Sequence, residues 1–288
     1  MSTEVSVVVD HHAACGEGPF WHAPSESVIW IDIVRGDIFR TPLRTGDTQR
    51  VVRHREMVGA VAPREDGGFV AATESGFVEL TESGKVSRQV PCLGAGERMN
   101  DAKPDPAGRY WSGSCTMDFK PGQGGLWLLD ENWNATKILS GLTLPNGLGW
   151  SPDGRTFYLI DSMDRTVLSF PFDPDTSTLT TQSTILVGPD AFTGLPDGLA
   201  VDTRGHLWVA EYAGSAVHEF DPTGALVRKI AIPTAQPTSC AFVGPELNQL
   251  WVTSAADGLE TSEEVHAGSV FKVDGLNATG LPVANFRG

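Results

Sequence analysis

Between residues 194 and 230 apolar and polar positions alternate in short runs, each broken by turn-forming residues. Leu199-Ala200-Val201 is apolar, Thr203-Arg204-Gly205 reads as a turn, and residues 206–210 are apolar again. Ala213-Gly214-Ser215 turns the chain once more, residues 216–220 alternate, and Asp221-Pro222-Thr223-Gly224 leads into a last run over 225–230. Such runs, bounded by Gly, Pro, Asp and Ser, predict four short strands in an antiparallel meander.

The unit recurs along the chain. Pro145-Asn146-Gly147 aligns with Pro196-Asp197-Gly198, and Ser151-Pro152-Asp153-Gly154 aligns with the turn at 203–205. Residues 97–111 place Asn100-Asp101 at the same point of the unit, and residues 15–33 place Glu17-Gly18-Pro19 there. Gly59-Ala60 and Pro237-Thr238-Ser239 mark two weaker copies. Positions 17, 59, 100, 146, 197 and 239 then stand 41 to 51 residues apart, and six units account for the whole length of 288 residues. A four-stranded unit of this size repeated six times predicts an all-β fold, a six-bladed β-propeller with four-stranded antiparallel blades. Residues 1–288 are read as one propeller domain. Residues 5–9 form a strand without a unit of its own, expected to join the last blade beside residues 268–273 and fasten the ring.

Composition narrows the function. Forty per cent hydrophobic residues can fill a sizeable core, and 32 Gly with 19 Pro fit many turns. A net charge of −15 argues against a nucleic-acid partner, because phosphate binding needs a basic face. The four cysteines show no C-x-x-C spacing and read as reduced thiols. No stretch approaches the roughly 18 apolar residues of a membrane span, and the N-terminus lacks a basic start with a long apolar run, so no membrane partner and a cytoplasmic location are expected. There is no G-x-S-x-G elbow, and the Gly-rich segments 94–96 and 122–125 are not followed by a βαβ pattern. Serine-hydrolase and nucleotide-binding readings are therefore disfavoured.

In a propeller the loop before each innermost strand opens onto the central channel, so equivalent positions of different blades converge. Glu17, Asn100, Asn146 and Asp197 hold that position. Two carboxylates and two amide oxygens suit a hard divalent cation. The set does not choose among calcium, magnesium and manganese, and it does not exclude zinc or ferrous iron. Asn-Gly and Asp-Gly also make simple turns, but Glu17, in a Gly-Glu-Gly-Pro context, is a poor turn former.

These motifs carry a resemblance. Gly16-Glu17-Gly18-Pro19-Phe20-Trp21, Trp30-Ile31-Asp32-Ile33, Arg98-Met99-Asn100-Asp101 with Asp105-Pro106-Ala107-Gly108-Arg109, Pro145-Asn146-Gly147, Pro196-Asp197-Gly198 and the Thr238-Ser239-Cys240 segment follow one another in an order and spacing that resembles the SMP-30/gluconolactonase family of regucalcin-like lactonases. The resemblance runs from about residue 12 to 275. It implies a six-bladed propeller with one divalent cation, calcium first and Zn2+, Mg2+, Mn2+ or Fe2+ as alternatives, held by Glu17, Asn146 and Asp197. It implies hydrolysis of a sugar lactone to the aldonic acid, with Arg98 and Asn100 on the sugar hydroxyls. For that chemistry Asp197, ligand and general base together, is expected to accept a proton from the attacking water as the catalytic residue.

Asp101 would contact substrate or brace Asn100 and Arg98, and Tyr212 would line the pocket or pack in the core. Asp118 begins a Gly- and Pro-rich loop over 118–125, readable as a lid or as a hairpin turn. It is the acidic substrate contact this chain offers where family members often carry one, and no Glu stands there. Two other readings compete: a hydrolase of organophosphates, aryl esters or acyl lactones on the same scaffold, and a non-enzymatic calcium-binding propeller.

Overall fold

Short alternating strands leave a four-stranded sheet with two faces to cover, and only neighbouring sheets can cover both. The computed structural model, which describes residues 3–260 and 262–288, is built from six antiparallel sheets. Their first strands are Gly16–His22, Val58–Pro63, Glu97–Pro104, Pro145–Trp150, Leu195–Val201 and Pro237–Val243, which begin blades 1 to 6 in order. Each first strand touches the first strands of both neighbours, blade 6 against blade 1 included, so the ring closes around a central channel. Blade 6 takes its fourth strand from the other end of the chain: Glu4–Val9 pairs antiparallel with Val270–Asp274. Blade 4 has a split outer edge, with Thr178–Leu179 and Thr184–Val187 both pairing with Thr166–Asp173, and this lengthens the unit between 146 and 197.

The core lies between blades. Ala200, Trp208 and Val217 of blade 5 pack with Phe242, Leu250 and Val252 of blade 6, and the Trp208 and Phe242 rings meet edge to face at 5.5 Å. Fully burying one such large side chain stabilises the fold by about 1.5–3 kcal/mol. Each inter-blade seam repeats this, so stability depends on ring closure. All four cysteines are free thiols. Among the described residues no helix is long and apolar enough to cross a membrane.

The positions predicted to lie in loops before the innermost strands lie instead inside those strands. In every blade the pairing of the first and second strands slips at this point: between Glu17 and Phe20, Val58 and Ala60, Met99 and Ala102, Pro145 and Leu148, Pro196 and Leu199, and Pro237 and Ser239. A bulge inserts extra residues on one strand and re-aims their side chains. Six bulges at one level therefore make a shelf of residues near one end of the channel. The glycines that follow Asn146 and Asp197 are explained by close approach rather than by turns. A Cβ on Gly147 would sit 2.5 Å from the carbonyl oxygen of Asp197, and one on Gly198 would collide with Ser239.

At the other end of the first strands the C-terminal tail is tied across several blades. Thr203 N–H donates to Thr279 O and Gly280 N–H to Leu247 O, on blades 5 and 6. Farther on, Phe286 N–H donates to Pro63 O and Arg287 N–H to Gly108 O, on blades 2 and 3. Phe286 is fully buried against Tyr110 and Trp133.

Candidate metal centre and active site

The shelf brings together most of the residues singled out in the sequence. Glu17, Asn100, Asp101, Asn146 and Asp197 are all buried, Asp197 with 8% of its surface exposed. Asp197 lies near enough to Glu17 for its charge to act on the Glu17 carboxyl, and the proximity of Asn146 and Glu17 partly offsets the rise of the Asp197 pKa. Both acids have pKa values pushed well above the carboxylate range: Glu17 by burial, then by the charges of Asp197 and Asp101, and Asp197 by burial, then by the charge of Asp101. Gathering like charges in a low-dielectric site is unfavourable unless a proton or a cation compensates them.

The donor set fits a divalent cation. Among the described residues Asp197 Oδ1 is buried and has no hydrogen-bond partner. Asn146 Nδ2 donates to Ser162 Oγ at 3.2 Å, which leaves its Oδ1 as the amide's free acceptor. Ser162 in turn donates to Pro196 O at 2.6 Å, so one hydroxyl ties the Asn146 strand to the Asp197 strand. Glu17 Oε2 takes the N–H of Gly18 at 2.7 Å. Glu17, Asn146 and Asp197 are thus hard oxygen donors from blades 1, 4 and 5, with a coordinating atom still unsatisfied in a buried setting.

The remaining predicted residues differ in placement. Arg98 is half-buried and donates from Nη1 to Asn100 Oδ1 at 2.6 Å and to Met99 O at 3.0 Å. Asn100 Nδ2 donates to Pro145 O at 3.0 Å, so Asn100 is engaged at both ends and braces blade 3 against blade 4. Asp101 takes the N–H of Ala102 on Oδ1, while Oδ2 is buried without a partner. Half-buried Tyr212 ends the second strand of blade 5 near Cys15 and Asp197; burial first, then those two groups, push its phenol pKa up. Asp118 is not brought into the cluster. Its side chain is 59% exposed and pairs with Lys120 at 3.1 Å, because the chain from 117 to 123 runs over the surface.

Sequence reasoning missed Lys103. Its ammonium sits in the channel, donating to Leu148 O at 3.0 Å and to Leu199 O, and its charge partly offsets that of Asp101. It lies two residues beyond Asp101 on a first strand, and that inward-facing register was the available signal.

A second acidic group, Asp202, His206 and Glu219, lies at the far end of the Asp197 strand, with ligand-type atoms within 4.8 Å of one another. It is already neutralised. Arg204 Nη2 reaches Asp202 Oδ2 at 2.6 Å and Glu219 Oε1 at 2.9 Å, Arg228 Nε reaches Glu219 Oε2, and Trp208 Nε1 donates to Asp202 at 3.3 Å. Burial pushes the Asp202 carboxyl up, but the hydrogen bonds from Arg204 and His206 outweigh it and hold the pKa below the usual Asp range.

Comparison with known proteins agrees with this architecture. Residues 15–256 match the model of the SMP-30/gluconolactonase/LRE-like region. A regucalcin of Danio rerio is 33% identical over 298 residues, covering 100% of this chain and 99% of the relative. A pentonolactonase of Haloferax volcanii is 34% identical over 286 residues, covering 96% of each. The crystal structure of a calcium-binding regucalcin from Agrobacterium tumefaciens superposes with a TM-score of 0.92 at 25% identity, over 98% of this chain and 96% of that one. The chain belongs to the SMP-30/gluconolactonase family.

Proposed function

We propose that this protein is a divalent-cation-dependent lactonase that opens a sugar lactone, an aldono-1,4- or 1,5-lactone, to the aldonic acid. The observation that carries the reading is the buried, unpartnered Asp197 Oδ1 beside Glu17 and Asn146. Similarity to a pentonolactonase and to regucalcins supports the substrate class, and similarity to a calcium-binding regucalcin supports calcium as the cation.

A bound cation supplies Lewis-acid polarisation of the lactone carbonyl and compensates the carboxylates that hold it. Glu17, Asn146 and Asp197 would hold it. Asp197 also takes, on a carboxylate oxygen, the proton of the water that adds to the carbonyl carbon. The bond from that carbon to the ring oxygen then breaks, and the proton passes to that leaving oxygen, which becomes a hydroxyl of the open acid. Arg98 and Asn100, locked together, face the sugar hydroxyls with the guanidinium N–H groups and the second amide hydrogen and lone pair that their mutual bonding leaves over, with Asp101 and Tyr212 beside them. Fixing the polyol in this way can lower the barrier by several kcal/mol, within the roughly 7–11 kcal/mol that orientation supplies at most.

Lactone hydrolysis followed with a pH indicator, before and after chelation, tests the reading on gluconolactone, xylonolactone, arabinonolactone and galactonolactone. Expected is activity on at least one, abolished by chelator and restored by Ca2+. Metal bound without turnover of any lactone would overturn it. Turnover of aryl esters or acyl lactones instead would favour the second hydrolase reading. Exposed Met117 and Phe119 give that reading its one support, since the Phe119 ring centre is 5.9 Å from the Arg98 guanidinium carbon.

A further inference from the structure

The three blades that supply Glu17, Asn146 and Asp197 share a feature that the other three lack. At the end of the second strand of blade 1, Asp32 accepts the backbone N–H groups of Ala14 at 2.8 Å and Cys15 at 3.4 Å. In blade 4, Asp161 accepts those of Thr143 at 2.8 Å and Leu144 at 3.0 Å. In blade 5, Glu211 accepts those of Thr193 at 2.6 Å and Gly194 at 2.7 Å. The bonded pairs lie two and three residues before Glu17 and Asn146, and three and four before Asp197, where the longer Glu replaces Asp. The three carboxylates are 0%, 1% and 0% exposed.

Among the described residues the corresponding positions of blades 2, 3 and 6 do something else. The Thr73 hydroxyl shares its one proton between Glu56 and Gly76 O, Ser114 takes the indole N–H of Trp127, and Ser254 donates to Ser269 O. In blade 6 a loop carboxylate, Glu264, takes a single N–H, that of Ala235, at 3.3 Å. No uncharged residue at these positions holds two successive N–H groups of the chain entering its first strand.

We propose that Asp32, Asp161 and Glu211 are positioning residues for the cation site, buried carboxylates that clamp the backbone leading into each ligand-bearing strand. The inference rests on the reading of Glu17, Asn146 and Asp197 as ligands. A charge-assisted bond to N–H is about twice as strong as a neutral one, and two of them fix a backbone plane rather than a point. The clamped segment ends within four residues of the ligand, so the clamp sets the ligand's height on the channel wall before any ion arrives. It explains why these positions are acidic only where a ligand follows.

The test uses the full chain and Ca2+ alone. Calcium affinity of the metal-free protein is measured by titration calorimetry for wild type, Asp161→Asn, Thr73→Val and Asn146→Ala, with melting followed in parallel. Asn at 161 keeps the volume but turns a donor towards an N–H. Asp161→Asn should raise the calcium Kd about tenfold or more, while Thr73→Val, which loses a comparable buried hydrogen bond, leaves it within twofold. A shift in Asp161→Asn no larger than in Thr73→Val, with Asn146→Ala strongly weakened, would remove the clamp and keep the ligands. An unchanged Kd in Asn146→Ala would remove the ligand assignment and the clamp with it. Hydrogen exchange on the wild type gives a reading independent of whether the variants fold. The amides of 14, 15, 143, 144, 193 and 194 should exchange slowly without metal and no more slowly with Ca2+. Protection that appears only on adding Ca2+ would mean that the ion orders these segments, and the clamp proposal would fall.

Discussion

The first strand of blade 5 carries an acidic cluster at each end, and the two are built oppositely. Near its start Asp197 sits with Glu17 and Asp101, its Oδ1 without a partner and its pKa pushed up by burial and by neighbouring charge. Just past its end, roughly 15 Å farther along at about 3.3 Å per residue, Asp202 sits with Glu219 and His206, and arginines reach both carboxylates. Both clusters are buried and acidic, and by proximity alone the second is the better metal site. The difference is compensation. A cluster whose carboxylates already have guanidinium partners gains little from a cation and serves stability; a cluster left short of positive charge costs stability until something positive is supplied.

The largest expected effect separates them by activity. Asp197→Ala removes a ligand and the proton acceptor, so kcat/KM on the preferred lactone should fall on the order of a thousandfold, and calcorimetric Ca2+ binding should be lost. Retained lactonase activity would take Asp197 out of the mechanism. Glu219→Ala should do the reverse. It takes a buried carboxylate away from Arg204, His206 and Arg228, which are all partly exposed, and the loss of these hydrogen bonds should cost about 1–2 kcal/mol, read as a lower urea midpoint at unchanged m value. Activity per folded molecule and calcium stoichiometry should stay at wild-type values.

Acid sharpens the contrast, because the two aspartates have opposite signs. Asp202 has its folded pKa depressed, so its contribution is complete above the ordinary Asp range near 4 and is lost as pH falls through the lower folded value. Asp202→Asn should therefore cost about 1–2 kcal/mol at pH 7.5, and the gap to wild type should close towards pH 2. Asp197 has its folded pKa raised. In metal-free protein the stability it contributes is complete below pH 4 and is lost as pH rises through the folded value. Asp197→Asn should thus melt higher than metal-free wild type at pH 7.5, by the equivalent of about 1–2 kcal/mol, and match it near pH 4. Calorimetry across this range in chelator checks both, and gaps of the same sign would erase the distinction.

Much of this was legible in the chain. The period of 41 to 51 residues fixes six modules, and a module that cannot bury its own faces dictates the ring. Glu17, Asn146 and Asp197 stood out because each holds the same position in its repeat unit, and Glu17 is a poor turn former. Their setting was misread: Asn-Gly and Asp-Gly look like loop signals, yet Gly147 and Gly198 are there because neighbouring backbones approach too closely for a Cβ. The bulges are invisible to period-two patterning, since they exist only as a mismatch between two strands. Asp32 and Asp161 were hidden for a related reason, each reading as the polar end of an apolar strand until the N–H groups facing it are known. Asp118 shows what position alone leaves open: it is exposed and paired with Lys120, on a loop whose Phe119 ring lies 5.9 Å from the Arg98 guanidinium carbon.

The smallest effect tests the comparison most directly, by trying to turn one cluster into the other. Arg204 is 45% exposed and bonds both Asp202 and Glu219. Arg204→Ala should cost about 1 kcal/mol, as befits a partly solvated pair, and it leaves Asp202 Oδ2 and Glu219 Oε1 beside His206 without that cation. If compensation is what distinguishes the two ends of the strand, the shortened cluster should now respond to metal. At 5 mM Ca2+ and a Kd near 1 mM, binding to the folded state alone would return about 1 kcal/mol. The measurement is best made in an Asp197→Ala background, where the channel site is silent. There Ca2+ should raise the melting temperature of the Arg204→Ala variant and leave its Arg204 parent unmoved. Equal responses would mean that geometry, not missing charge, keeps cations out of the second cluster.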